Sequence, residues 1–115
     1  QTENGITVSE VKDKRILMMI RVPSEVKRAV KVFAASNNIM MSEVYDDATE
    51  WFLDGVASGE YKYFYATSKL DSGSSLWLKP EVANRARLVA EETGHSAARV
   101  ILTGLILYME KQEGL

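Results

Sequence analysis

The chain has 115 residues, 46% apolar and 26% charged, which suits one globular domain and is too short for two independent ones. It has no cysteine, so disulfide and thiolate–metal frameworks are excluded. A net charge of −2 speaks against a uniformly basic nucleic-acid binder, yet the charge is segregated: residues 12–31 carry seven bases against two acids, and residues 43–60 carry six acids and no base.

Residues 1–10 lack the apolar core of a signal peptide. The longest apolar run, residues 100–109, is interrupted by Thr103 and Gly104 and reaches about half a membrane span. A cytoplasmic protein with no membrane partner is expected. A chain that opens on Gln1 is also compatible with a piece of a longer protein. The first 13 residues are polar with scattered Val and Ile, and read as a loose arm.

From Lys14 the run Ile16-Leu17-Met18-Met19-Ile20-Arg21-Val22 reads as a strand stopped by Pro23. Ser24 is placed to cap the helix that follows. Val26, Val30, Phe33 and Ala34 fall at i, i+4, i+7 and i+8 and form one buried stripe, with Lys27, Arg28 and Lys31 off it. Asn37-Asn38 ends this helix in a left-handed turn. Ser42 is placed to cap the second helix, whose first turns hold Glu43, Asp46 and Asp47, as the helix dipole favours. Its stripe is Val44, Tyr45, Ala48, Trp51 and Phe52, and Gly55 is expected to stop it. Glu43, Asp47 and Glu50 share one side, which reads as a solvated acidic face.

Residues 55–73 form a connector around Tyr61-Lys62-Tyr63-Phe64-Tyr65, a cluster too apolar to stay in water. It is expected to pack back on the domain, as an extra strand. Ser74-Ser75-Leu76-Trp77-Leu78 then reads as a second strand, and Lys79-Pro80 opens a third helix with stripe Val82, Ala86, Val89 and Ala90. Gly94 is its C-cap and Ser96 caps the last helix, residues 97–111, which is apolar nearly all round and so belongs at the centre of the molecule. Gly104 would let another backbone come close.

The two halves are one pattern written twice. Displaced by 56 positions, Ile20, Val22, Glu25, Val26, Val30, Phe33, Ala34, Asn38, Val44 and Phe52 fall on Leu76, Leu78, Glu81, Val82, Ala86, Val89, Ala90, Gly94, Val100 and Tyr108 without a gap. A unit of this size buries too little surface to stand alone, so each copy is expected to complete the other's core. The chain is read as a single domain, 1–115, with repeat 1 at 14–54, a connector at 55–73 and repeat 2 at 74–111.

Strand, basic amphipathic helix, Asn or Gly turn and second helix resemble the ribbon-helix-helix family. Ile20-Arg21-Val22-Pro23-Ser24-Glu25-Val26 matches its strand-to-helix junction, and Thr93-Gly94-His95-Ser96 its inter-helix turn. Two copies in one chain are similar to the tandem members among DNA-transfer accessory proteins of conjugative plasmids. The resemblance implies a mainly α fold with a small two-stranded antiparallel ribbon, a tandem ribbon-helix-helix forming an intramolecular pseudo-dimer. It also implies a sequence-specific double-stranded DNA-binding protein that acts in transcription regulation or as a relaxosome accessory factor in plasmid conjugation.

Alternation decides which ribbon residues would face DNA. Val22, Ile20, Met18 and Ile16 continue into the buried stripe, which leaves Arg15, Leu17, Met19 and Arg21 outward; in the second strand Gly73, Ser75 and Trp77 are outward. The resemblance makes Arg21, Met19, Leu17, Ser75 and Trp77 the base-contact candidates. Arg21 suits guanine O6 and N7, Ser75 one hydrogen bond, and Met19 and Leu17 a thymine methyl. Trp77 departs from the family pattern, which favours a short polar or basic residue there; it is expected to stack on sugar edges or tuck against Tyr61–Tyr65. The resemblance also implies a phosphate held at the second helix's N-terminus, and the phosphate candidates are Lys14, Arg15, Lys27, Ser42, Ser96 and Arg99. Because the halves differ outwardly, an asymmetric site is expected, with cooperative self-association on DNA to supplement a modest affinity.

Catalysis finds no support in the residues. The sole histidine, His95, reads as a turn residue, and no metal-ligand spacing or phosphate-binding Gly loop is present. No cofactor and no metal are expected. The alternative to DNA is a protein partner: an antitoxin-like or scaffold module that grips it with the Leu17, Met19 and Trp77 surface.

Overall fold

The computed structural model describes residues 14–113. Its elements are β1 (Ile16–Arg21), α1 (Ser24–Ser36), α2 (Met41–Ala57), β2 (Gly73–Leu78), α3 (Pro80–Thr93) and α4 (Ala97–Glu113). The described residues are thus mainly helical with one two-stranded antiparallel sheet. Among the described residues no helix is long and apolar enough to cross a membrane.

The strands pair from Ile16 opposite Leu78 to Arg21 opposite Gly73. This register sets Met19 opposite Ser75, two residues 56 apart. Helix starts recur at the same offset, Ser24 with Pro80 and Met41 with Ala97. So do the turns that end α1 and α3. Asn38 (φ 55°) and Gly94 (φ 74°) are left-handed, and the next N–H in each turn, Ile39 or His95, donates back to Ala34 O (3.0 Å) or Ala90 O (2.9 Å). That bond satisfies a carbonyl the helix end would otherwise leave open, and it requires the positive φ that Gly adopts freely and Asn tolerates.

The inner sheet face and the helix stripes share one core. Ile20, Val22, Leu76 and Leu78 are buried with Val30, Val44, Phe52, Leu53, Ile101, Leu102, Leu105 and Met109. At roughly 1.5–3 kcal/mol for each large side chain removed from water, this cluster supplies the main drive to fold. β1 packs on α4 and β2 on α2, while α1 and α3 each pack against both α2 and α4. Each strand therefore lies on the second helix of the other half, and each first helix touches the second helices of both halves.

α2 and α4 approach closely at Gly104. A Cβ built there would stand 2.8 Å from Phe52 Cβ and 3.2 Å from its ring. Gly104→Ala should therefore destabilise the protein: overpacking costs about 1–3 kcal/mol, against roughly 1 kcal/mol gained from helix propensity. Urea unfolding should show a lower midpoint at unchanged slope; a midpoint raised by the full propensity gain would contradict the contact.

Several local expectations are corrected. Ser24 does not cap α1: the helix begins at Ser24 itself, with Pro23 in the cap position and no side-chain cap bond. Ser42 does not cap α2, because Met40 holds that place and Glu43 Oε1 accepts its N–H (2.8 Å). Gly55 does not stop α2. It is buried inside the helix, where a Cβ would run into the Tyr61 ring, and the helix continues to Ala57 before Gly59 turns at φ 84°. Residues 61–65 pack back as expected but form no strand. Tyr61 stacks on Phe52 (centroids 5.4 Å) and Phe64 meets it edge-on (5.6 Å). The connector backbone is held by side chains: Tyr65 N–H donates to Thr103 Oγ1 (2.6 Å), and Arg99 Nη2 and Nε donate to Phe64 O (3.0 Å) and Tyr65 O (3.3 Å). His95 is half-buried rather than a plain turn residue, with its ring 4.6 Å from that of Phe64.

Candidate nucleic-acid interface

The solvent face of the ribbon follows from the period of two. Ile20, Leu76 and Leu78 are held in the core, so the residues between them must point out. Leu17 stands opposite Trp77, Met19 opposite Ser75 and Arg21 opposite Gly73. Leu17, Met19 and Trp77 are 43%, 62% and 49% exposed, high values for large apolar side chains. All five base-contact candidates thus lie on one surface. Ser75 Oγ donates to Met19 Sδ (3.2 Å), so the central pair is partly satisfied within itself.

Arg21 closes one end of this face. Its Nη1 donates to Asp71 O (2.9 Å) and Lys69 O (3.4 Å), so the connector backbone seats the guanidinium. One nitrogen makes both bonds, which leaves the remaining N–H groups of the fork unused. Lys69 stands at this end too, exposed. At the other end Lys14 precedes β1 and Lys79 follows β2, both exposed.

Arg15 belongs to the architecture. Its Nη1 donates to Asp46 Oδ2 (2.8 Å) and Trp77 O (3.3 Å). Asp46 is 1% exposed and its other oxygen accepts the N–H of Lys79 (3.0 Å). An acid that the sequence places simply in the dipole-favoured first turns of α2 is therefore a buried joint between α2, the start of β1 and the end of β2. The repeat shows why an acid is needed on this side alone. Displaced by 56, Asp46 corresponds to Leu102 and Lys79 to Pro23; Pro has no N–H to satisfy, and the position can be apolar. An acid aligned with a core leucine was the available signal for Asp46.

The other phosphate candidates divide. Ser42, with Arg15, Ser75 and Trp77, lines a cleft of about 750 Å³ completed by Met40, Met41 and Tyr45. Trp77 therefore opens toward the start of α2, not toward Tyr61–Tyr65. Burial pushes the Tyr45 hydroxyl above its ordinary pKa, so it remains a donor at neutral pH. Burial also raises the Asp47 carboxyl, with Asp46 and Glu43 adding like charge. Ser96 Oγ accepts the Arg99 N–H (3.2 Å), which makes it the expected cap of α4, but the Arg99 side chain is committed to the connector carbonyls. Lys27 is half-buried on α1. The Met40–Met41–Tyr45 wall of the cleft was not anticipated, because the expected cap at Ser42 placed the two methionines in a turn.

Among the described residues no group of three or more His, Asp or Glu could hold a metal ion. No family model, curated protein or solved structure matches the chain.

Proposed function

We propose that this chain is a sequence-specific double-stranded DNA-binding protein of the ribbon-helix-helix type, with its two copies paired as an intramolecular pseudo-dimer and its ribbon entering the major groove. The observation that carries this reading is the ribbon itself. Its register is centred on Met19 and Ser75, residues one repeat apart, and its solvent face gathers Leu17, Met19, Arg21, Ser75 and Trp77 between cations at both ends. A major groove admits a two-stranded ribbon, and its flanking phosphates suit end cations. Lys14, Lys69 and Lys79 are the phosphate contacts this reading favours, with Arg15 fixed by Asp46 as a support. The role is that of a regulator or DNA-transfer accessory factor in the cytoplasm, with neighbouring copies cooperating on DNA.

The test is fluorescence anisotropy with random duplex DNA from low to physiological salt. A log–log slope of about −3 or steeper is expected, with binding weakened at least tenfold in Arg21→Ala. Negligible binding at low salt would sink the reading. It would favour the second one, in which the methionine-lined cleft beside Trp77 grips a protein partner, as flexible Met-rich surfaces do.

A further inference from the structure

Resting on the DNA-binding reading, we propose that the ribbon recognises its site chiefly through thymine methyl groups, within a non-palindromic sequence that has a guanine at one end. In the major groove every base edge offers hydrogen-bonding groups, and only thymine adds a methyl. The ribbon face inverts the usual balance of side chains that would read them. Three of its five outward side chains, Leu17, Met19 and Trp77, are large and apolar, and the hydroxyl of Ser75 is turned onto Met19 Sδ. Only Arg21, at the end where Gly73 leaves the facing position bare, offers a fork of donors.

Apolar side chains discriminate by what they tolerate. Pressed on a G·C edge, Leu17 and Met19 would cover O6, N7 and N4 groups without replacing their water, which is costly. Pressed on a thymine methyl, they bury apolar surface against apolar surface, worth about fourfold in affinity for each methyl. The centre of the site is therefore T·A-rich. Cations at both ends of an apolar strip match the duplex, where phosphates flank the base edges, and this charge arrangement selects DNA as the occupant over an apolar protein segment. The ends of the ribbon also differ: Arg21 faces Gly73, whereas Leu17 faces Trp77. Arg21 and Leu17 are four residues apart, about 13 Å, so the guanine and the outermost methyl contact lie within about four base pairs of each other.

The experiment is selection from a random duplex pool, followed by remaking the best site with deoxyuridine for every thymine, a change that removes only the methyl groups. Anisotropy at fixed salt should give at least tenfold weaker binding of the uracil duplex, with the salt slope unchanged. Leu17→Ala/Met19→Ala, altered only at exposed positions, should bind the two duplexes nearly equally while circular dichroism and the urea midpoint stay close to wild type. Equal affinity of the wild type for both duplexes, or a selected site that is palindromic or G·C-rich at its centre, would overturn the proposal while leaving DNA binding intact. No enrichment of any duplex, with no binding at low salt, would overturn the DNA-binding reading and this inference with it.

Discussion

Asp46→Ala is expected to cost about 3–5 kcal/mol of folding stability, although Asp46 lies on a helix whose other acids are largely solvated. The carboxylate is buried and fully engaged, with Arg15 Nη1 on one oxygen at 2.8 Å and the Lys79 N–H on the other at 3.0 Å. Removing it leaves a backbone donor without a partner and a guanidinium, itself only 23% exposed, without its counter-ion. Asp46→Asn keeps the shape and one acceptor oxygen, so it should lose about half as much. The repeat suggests a stricter check. Lys79 has φ −58°, already compatible with proline, and the first half of the chain has Pro23 and Leu102 at the corresponding places. Adding Lys79→Pro to Asp46→Leu should therefore recover part of the loss by deleting the orphaned donor. Urea midpoints at constant slope measure all four variants, Asp46→Leu alone serving as the reference for the double. A loss below 1 kcal/mol for Asp46→Ala would show that water satisfies the joint.

This joint marks where sequence reasoning stops. Strand alternation, helix stripes and the left-handed turns at Asn38 and Gly94 depend on neighbours within a few residues, and all were legible. Asp46 was not, because its partners lie 31 and 33 positions away and only the fold brings them together. Two of the four helix starts, those of α1 and α2, failed for a local reason. Ser24 and Ser42 are good capping residues, but Pro23 and Met40 already hold extended backbone at the cap (ψ 142° and 150°), and Glu43 answers the Met40 N–H. Gly55 was misread because its lack of a side chain is used for Tyr61, whose ring occupies the space.

The candidate site divides in the same way. Which residues leave the ribbon follows from alternation and was visible at once. How each is held was not: Arg21 is seated by Asp71 and Lys69 carbonyls, 50 and 48 positions away, and Arg99 is drawn from the start of α4 to the connector. The connector thus reaches from the core at Phe52 to the end of the ribbon at Arg21, and a change at one should be felt at the other.

Phe52→Ala tests this link and should cost about 3–5 kcal/mol. Phe52 has no exposed surface, carries Tyr61 stacked on its ring and Phe64 against its edge, and fills the space that Gly104 leaves open. Little can collapse into the void, since the Gly104 side of it is backbone and Tyr61 is also engaged with Trp51 (centroids 5.5 Å). The loss should fall toward the upper end of this range, because the connector loses its floor along with the cavity. The milder Phe52→Leu, at roughly 1–1.5 kcal/mol, separates the two effects. In that folded variant the Tyr65 amide, bonded to Thr103 Oγ1, should exchange faster with solvent than amides of α2 and α4, and proteolysis should begin within residues 60–72 before global unfolding. If Phe52→Leu instead speeds exchange equally everywhere, the connector opens only with the whole domain, and the seat of Arg21 is as stable as the core that supports it.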